Sequence, residues 1–253
     1  MTKASSLESD RPDIGIPAKT RAPLIVSVGI ADARLNDPAW AAKIVALART
    51  ARVALLLLGD GGAAGFDSIA IGKSMAPDAG GLAFVPTVDT GFDNPVTVAP
   101  SLVELDRLAS GNAGWQPTTL VQPHTAQSLA GGVDFVAATH ARWAEHERPV
   151  LVQSDADPLW SRISPDIVII DRDSPAPKAG PKVLLRTFTA MAGLDQIEAL
   201  YLDGIIDGIH LTPPDMEEGL QAFAETMLPA LIARGLVLAE EPEGSLRARL
   251  GIG

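Results

Sequence analysis

The sequence predicts an α/β fold built on parallel strands, and three observations carry the prediction. Eight short apolar runs recur along the chain, most of them are apolar without alternation, and several are separated by segments with helical periodicity. A strand covered on both faces reads as a continuous apolar run, whereas a half-solvated strand alternates. The runs are 22–30, 52–60, 81–90, 115–121, 149–155, 166–173, 183–189 and 207–213, and most end in Gly, Asp, Ser or Thr. With one Tyr, six Phe and four Trp in 253 residues, the core must be built mainly from Ala, Val, Leu and Ile, which suits such strands.

Residues 1–22 mix Ser, Pro, Asp, Lys and Arg without periodicity and read as a flexible tail ahead of a single domain, 23–253. Between the first two strands, Asp37 is placed to cap a helix and Pro38 to occupy its first position, with Trp40, Ile44, Leu47, Ala48 and Ala51 on one face. Between the third and fourth, Pro95 to Ser110 holds a helix with Leu102, Leu105 and Leu108 inward. After the last strand, Leu220, Phe223, Met227, Leu228 and Leu231 form the stripe of a helix that Gly235 ends. The middle is sparser. Only PLWSRISP separates the fifth and sixth strands and SPAPKAGPK the sixth and seventh, too short and too rich in Pro for full helices. Two architectures satisfy this pattern: an eight-stranded β/α barrel with abbreviated helices, or an open doubly wound sheet. Either puts ligands at the carboxyl ends of the strands.

Composition narrows the function classes. A formal charge of −11 argues against a nucleic acid or an anionic membrane surface as partner, since both need clustered basic side chains. Without cysteine there is neither disulfide nor thiolate chemistry, and no apolar segment reaches the length of a signal sequence or membrane helix. A soluble cytoplasmic protein is expected.

Two segments carry a family resemblance. Gly81 to Thr119, GLAFVPTVDTGFDNPVTVAPSLVELDRLASGNAGWQPTT, reads as two strand-plus-helix units with a tryptophan-marked turn between them. Asp207 to Gly251 reads as a buried strand, a helix, an Arg-Gly stop and a short basic tail. Together they resemble the bacterial-luciferase-like flavin monooxygenases, in the branch containing the nitrilotriacetate and dibenzothiophene-sulfone monooxygenases. The resemblance favours the barrel, a (β/α)8 TIM-type fold with abbreviated helices between strands 5 and 7. It implies oxidation of a small organic substrate by reduced FMN and oxygen, a separate flavin reductase as partner, and a homodimer.

It also implies flavin contacts at matching positions. Asp60 ends the second strand where the family has an acidic flavin contact, although an Asp before Gly61-Gly62 is also ordinary turn chemistry. Thr87 and Thr90 match threonines after the third strand, with Asp89 in place of a serine. Trp115 and Thr119 fit the next segment, with Gln116 for an asparagine. After the fifth strand Gln153 is kept, and Asp157 falls where a serine contacts the phosphate. A carboxylate there reverses the sign of the interaction: two unit charges about 4 Å apart repel by roughly 4 kcal/mol at an effective dielectric near 20. Weakened FMN binding is expected, and the pair Asp89 and Asp157 marks an alternative, a non-catalytic barrel paralogue acting as a binding or partner subunit.

Other chemistries fit less well. GDGGAAGFD has neither the spacing of a dinucleotide loop nor a phosphate-loop Lys, and the four histidines lack metal-ligand spacing. The resemblance implies a His and Tyr pair before the fifth strand. That region offers His140 and Trp143, and reads equally as a helix with His140 and His146 facing solvent. His210 lies near the mouth of the last strand. Asp60, Asp89, Asp155, Asp157, Asp171 and Asp173 would share one rim, either as solvated turn caps or as a cation-favouring mouth.

Overall fold

A computed structural model describes residues 22–59, 65–119, 125–143, 148–175, 177, 181–188, 193–240 and 244–252 of the chain. The expected tail apart from Ala22 lies outside the described residues, as do Asp60, His124 and His146. Eight parallel strands close into a barrel in chain order: β1 (Ile25–Ile30), β2 (Leu55–Leu58), β3 (Ala83–Asp89), β4 (Gly114–Thr118), β5 (Val150–Ser154), β6 (Ile167–Ile170), β7 (Val183–Phe188) and β8 (Gly208–Leu211). Ser27 of β1 is in register with Leu55 of β2 on one side and with His210 of β8 on the other, so no edge remains and the open sheet is excluded.

Strand parity divides the core. Leu55, Leu57, Val85, Val152, Ile169 and Leu185 occupy alternate positions and pack together inside the barrel. Leu246 and Ile252, from the C-terminal segment carrying helix α8 (Leu246–Leu250), join the same cluster and close its amino-terminal end. The intervening residues, among them Val26, Leu56, Phe84 and Ile209, face outward onto helices. All four residues of β2 are buried, which is why that strand reads as an unbroken run of leucine.

Helix α1 (Pro38–Thr50) starts where expected: the Asp37 carboxylate accepts from the Ala39 N–H at 3.0 Å and Pro38 occupies the first turn. Helix α2 (Ser68–Met75) is capped by Asp67, α3 (Pro95–Leu108) by Asn94, and α4 (Ala126–His140) by a reciprocal Thr125 and Ser128 pair. Between β5 and β6 only a 3-10 turn, Pro158–Ser161, takes the place of a helix, and its Trp160 packs on Val168, Ile170 and Leu184. No helix is present between β6 and β7 among the described residues. Helix α5 (Leu194–Leu202) connects β7 to β8.

The last helix of the barrel wall is three pieces: α6 (Met216–Ala222), a π turn (Phe223–Met227) and α7 (Leu228–Ala233). Pro229 supplies the reason. Its ring would collide with the carbonyl four residues back in an ordinary helix, and the wider turn, in which the Leu228 N–H donates to the Phe223 carbonyl, makes room. Gly235 then ends the element in the left-handed region, φ +69°.

Candidate functional site

A wide opening lies at the carboxyl ends of β2 and β3, between α2 and α3, where a pocket of about 640 Å3 is lined by Phe66, Ser68, Val88, Val98 and Thr87 together with three aspartates. Asp67 spends its carboxylate on the Ile69 and Ala70 N–H groups at the start of α2. Asp89 accepts from the Gly91 N–H at 2.8 Å, and its own N–H donates to Asp93 at 2.9 Å. Burial pushes the Asp93 carboxyl above the usual carboxylate range; the Asp89 N–H opposes this, and the charges of Asp89 and Asp67 add to it. Thr87, pointing into the barrel mouth, donates to the Gln116 carboxamide oxygen at 3.3 Å, and Gln116 is buried to 5% exposure.

None of Thr90, Thr119, Gln153 and Asp157 lines this pocket; they stand at the carboxyl ends of β3, β4 and β5, further round the barrel. Thr90 Oγ1 bonds the Thr118 carbonyl at 3.2 Å and the Thr119 hydroxyl at 3.3 Å, and Thr119 is buried. α4 presses on them through Gly132, where a Cβ would sit 3.3 Å from the Thr90 hydroxyl. Gln153 is fully buried, its carboxamide donating to the Pro117 carbonyl and accepting from the Ser154 N–H. The cause is local: Pro117 has no N–H, the β4–β5 register ends at Trp115 and Leu151, and a side-chain amide bridges the strands where the ladder stops.

Asp157 is the most heavily bonded of these residues. One carboxylate oxygen accepts from the Thr118 hydroxyl at 2.8 Å and the Thr119 N–H at 3.1 Å, and the other from the Leu159 N–H at 2.8 Å. Three donors of the kind that hold a phosphate therefore already converge on an anion belonging to the chain. The remaining rim acids divide between turns: Asp155 accepts from the Asp171 N–H, Asp171 from the Arg172 N–H, and Asp173 is exposed. Among the described residues, no group of three His, Asp or Glu side chains is placed to hold a metal ion.

Two histidines belong to the packing rather than to the mouth. His210 is 2% exposed, with Nδ1 2.8 Å from the Ser27 hydroxyl, which also lies 3.2 Å from the Ile209 carbonyl. When Ser27 gives its single proton to that carbonyl, Nδ1–H is the donor to Ser27. His140, facing solvent in one of the two readings of its segment, instead packs edge-on against Trp115 and beside Trp143, with Nε2 buried and unbonded. Trp115 packs with Val88, Leu102 and Phe135 between the strands and helices.

Burial, helped by the nearby Arg148 charge and opposed by Asp166, lowers the His140 pKa to about 4. A folded pKa below the unfolded value of about 6.5 means the stability is fully present above pH 6.5 and is lost as pH falls towards 4. Since the ring is part-exposed and screened, the loss attributable to it is about 1–2 kcal/mol. His140→Phe keeps the ring stack and is expected to flatten the fall in stability between those pH values by that amount, read from urea unfolding curves at each pH. An unaltered pH profile in the variant would exclude His140 as the titrating group.

The class is thus a closed (β/α)8 barrel whose pocket opens at the carboxyl ends of its strands. No family model and no curated protein matches the sequence. Among solved structures, the fold is similar to EDTA monooxygenase from Chelativorans sp. BNC1, with 15% identity, a TM-score of 0.75, and coverage of 92% of this chain and 99% of that one. It is similar to long-chain alkane monooxygenase, with 12% identity, a TM-score of 0.76 and coverage of 92% and 96%. A riboflavin lyase solved with modified FMN and riboflavin follows at 14% identity, TM-score 0.72 and coverage of 90% and 96%. At these identities the likeness is one of fold. No helix among the described residues is long and apolar enough to cross a membrane.

Proposed function

We propose that this chain is a luciferase-like monooxygenase that oxidises a small organic substrate with reduced FMN and oxygen, and that its hold on the cofactor's phosphate is weakened. The observation that carries the reading is the pocket at the ends of β2 and β3 in a barrel of this fold, with polar Thr87, which buried Gln116 holds from behind, beside apolar Phe66, Val88 and Val98. That combination suits one edge and one face of a flavin ring. The resemblance adds Thr90, Thr119 and Gln153 on the neighbouring strands as flavin contacts, and Asp60, which lies outside the described residues. Asp157 does not fit a phosphate, because it places a carboxylate on the very donors a phosphate would use.

Reduced FMN, when bound, supplies the two electrons with which one oxygen atom of O2 enters the substrate and the other leaves as water. The chain's own groups orient the ring and exclude water from its inner face. Reduction occurs on a separate flavin reductase, and the barrel acts as a homodimer. The second reading, a barrel that serves as a binding or partner subunit without flavin chemistry, is favoured by the Asp157 bonds alone. Fluorescence titration with FMN separates the two. Saturable quenching with a Kd of about 10–100 µM, that is, binding of roughly 5–7 kcal/mol, is expected for the monooxygenase. No saturation in that range would leave the binding subunit as the reading.

A further inference from the structure

We infer that Trp115 and Trp143 form an electron relay that carries oxidising charge from the pocket to the surface, and so spares the pocket from photoexcited flavin. The relay rests on the flavin reading for its oxidant. Val88 and Val98 line the pocket and belong with Trp115 to one packed cluster, so the pocket wall is also the packing of the indole. Trp115 is fully buried, and its ring centroid lies 5.7 Å from that of Trp143 with the planes at 90°. Trp143, just beyond the end of α4, is half-buried and reaches solvent. His140 closes the triangle, 5.8 Å from Trp115 and 5.6 Å from Trp143.

The surroundings of the two indoles set the direction. Oxidation puts a positive charge on the ring. At Trp115 that charge would lie among Val88, Leu102 and Phe135 with Nε1–H unbonded, and an unsolvated charge in apolar packing is disfavoured. At Trp143 the Nε1–H donates to the Ala99 carbonyl at 3.0 Å, a bond that strengthens as the donor becomes positive, and part of the ring meets water. Charge therefore moves outward. His140, its pKa lowered to about 4 chiefly by burial, stays neutral at pH 7 and puts no opposing charge beside the rings. Packing alone would be served by phenylalanine in place of Trp115, because it has no N–H to leave unsatisfied in the core.

The electrons balance in three steps. Photoexcited oxidised flavin takes one electron from Trp115, Trp143 returns an electron to Trp115, and a thiolate in solution returns an electron to Trp143 and leaves as a thiyl radical. No proton moves.

The chain has no cysteine, so Ala70→Cys, at an exposed position of α2 that lines the pocket across from α3, takes a ruthenium polypyridyl photo-oxidant at a single site. After flash oxidation of the label in the full-length protein, transient absorption is expected to show a long-lived tryptophanyl radical. Trp115→Phe should lose it. Trp143→Phe, at a half-buried position where a smaller ring leaves the fold intact, should hold the radical on Trp115 and shorten its life, because the charge returns to the label instead of reaching the surface. No radical in the labelled parent, an unchanged yield in Trp115→Phe, or an unchanged lifetime in Trp143→Phe would each overturn the relay. The label replaces flavin as oxidant, so loss of transfer overturns the relay whether or not FMN binds, and absent FMN quenching overturns the flavin reading whether or not charge moves.

Discussion

Asp157→Ser is expected to tighten FMN binding by about ten- to a hundredfold, which corresponds to about 1.4–2.7 kcal/mol. The carboxylate is half-buried and takes the Thr118 hydroxyl, the Thr119 N–H and the Leu159 N–H, so it both repels a phosphate and uses its donors. Full repulsion between unit charges about 4 Å apart would be near 4 kcal/mol at an effective dielectric of about 20, and part exposure reduces it. Serine remains able to cap the 3-10 turn at Leu159 while releasing the two donors at the end of β4. The loss of two charge-assisted bonds should lower stability by about 1–3 kcal/mol, visible as a reduced unfolding midpoint. Riboflavin provides the control, since it presents the same ring without the phosphate. Its affinity should not change. An FMN affinity equal in both proteins, or the same gain with riboflavin, would remove Asp157 from the phosphate end of the site.

The second large effect concerns barrel closure. Gly208 opens β8, and it is in register with Ile25 of β1 and Leu185 of β7. A Cβ at this position would lie 2.7 Å from Leu185 Cδ2, 2.8 Å from Ile25 Cβ, and nearer still to the Ile25 carbonyl. The leucine can turn away; the carbonyl belongs to the backbone of the neighbouring strand and cannot. Gly208→Ala is therefore expected to push β1 from β8 and to cost about 3 kcal/mol, a large share of a total near 5–15 kcal/mol. Its midpoint of thermal unfolding should fall by roughly 6–12 °C for a domain of this size. Gly131 in α4, where an added Cβ would meet nothing within 4 Å, is the matched control, and Gly131→Ala should stabilise by about 0.5–1 kcal/mol. A Gly208→Ala protein within about 1 kcal/mol of wild type, by urea titration, would contradict the close β1–β8 contact.

Much of this architecture is local and therefore visible along the chain. Strands buried on both faces must be apolar throughout, so Leu55–Leu58 and Ile167–Ile170 are legible as runs. Caps act within three residues, which makes Asp37 with Pro38, and Gly235, readable without any tertiary knowledge. Even the reduced crossovers after β5 and β6 follow from how little chain separates the strands. The same locality hides the pocket. Asp93 stands four residues beyond Asp89 in an unremarkable loop, and only the fold brings both against Asp67 from another crossover. His140 reads as a polar residue ending a helix, yet Trp115 from β4 covers it from a distant part of the chain.

What the sequence by itself determined is the number of strands, their burial and the starts and stops of the helices that join them, because apolar content and capping chemistry act over a few residues. Closure of the sheet and the direction of each polar group at its mouth were decided only by tertiary structure. Whether Gln153 bridges two strands or faces a ligand depends on where the ladder between β4 and β5 ends, and whether Asp157 is open or satisfied depends on donors nearly forty residues earlier, Thr118 and Thr119. Hydrogen bonding is directional and short-ranged in space, not in sequence, so these choices exist only once the strands have met.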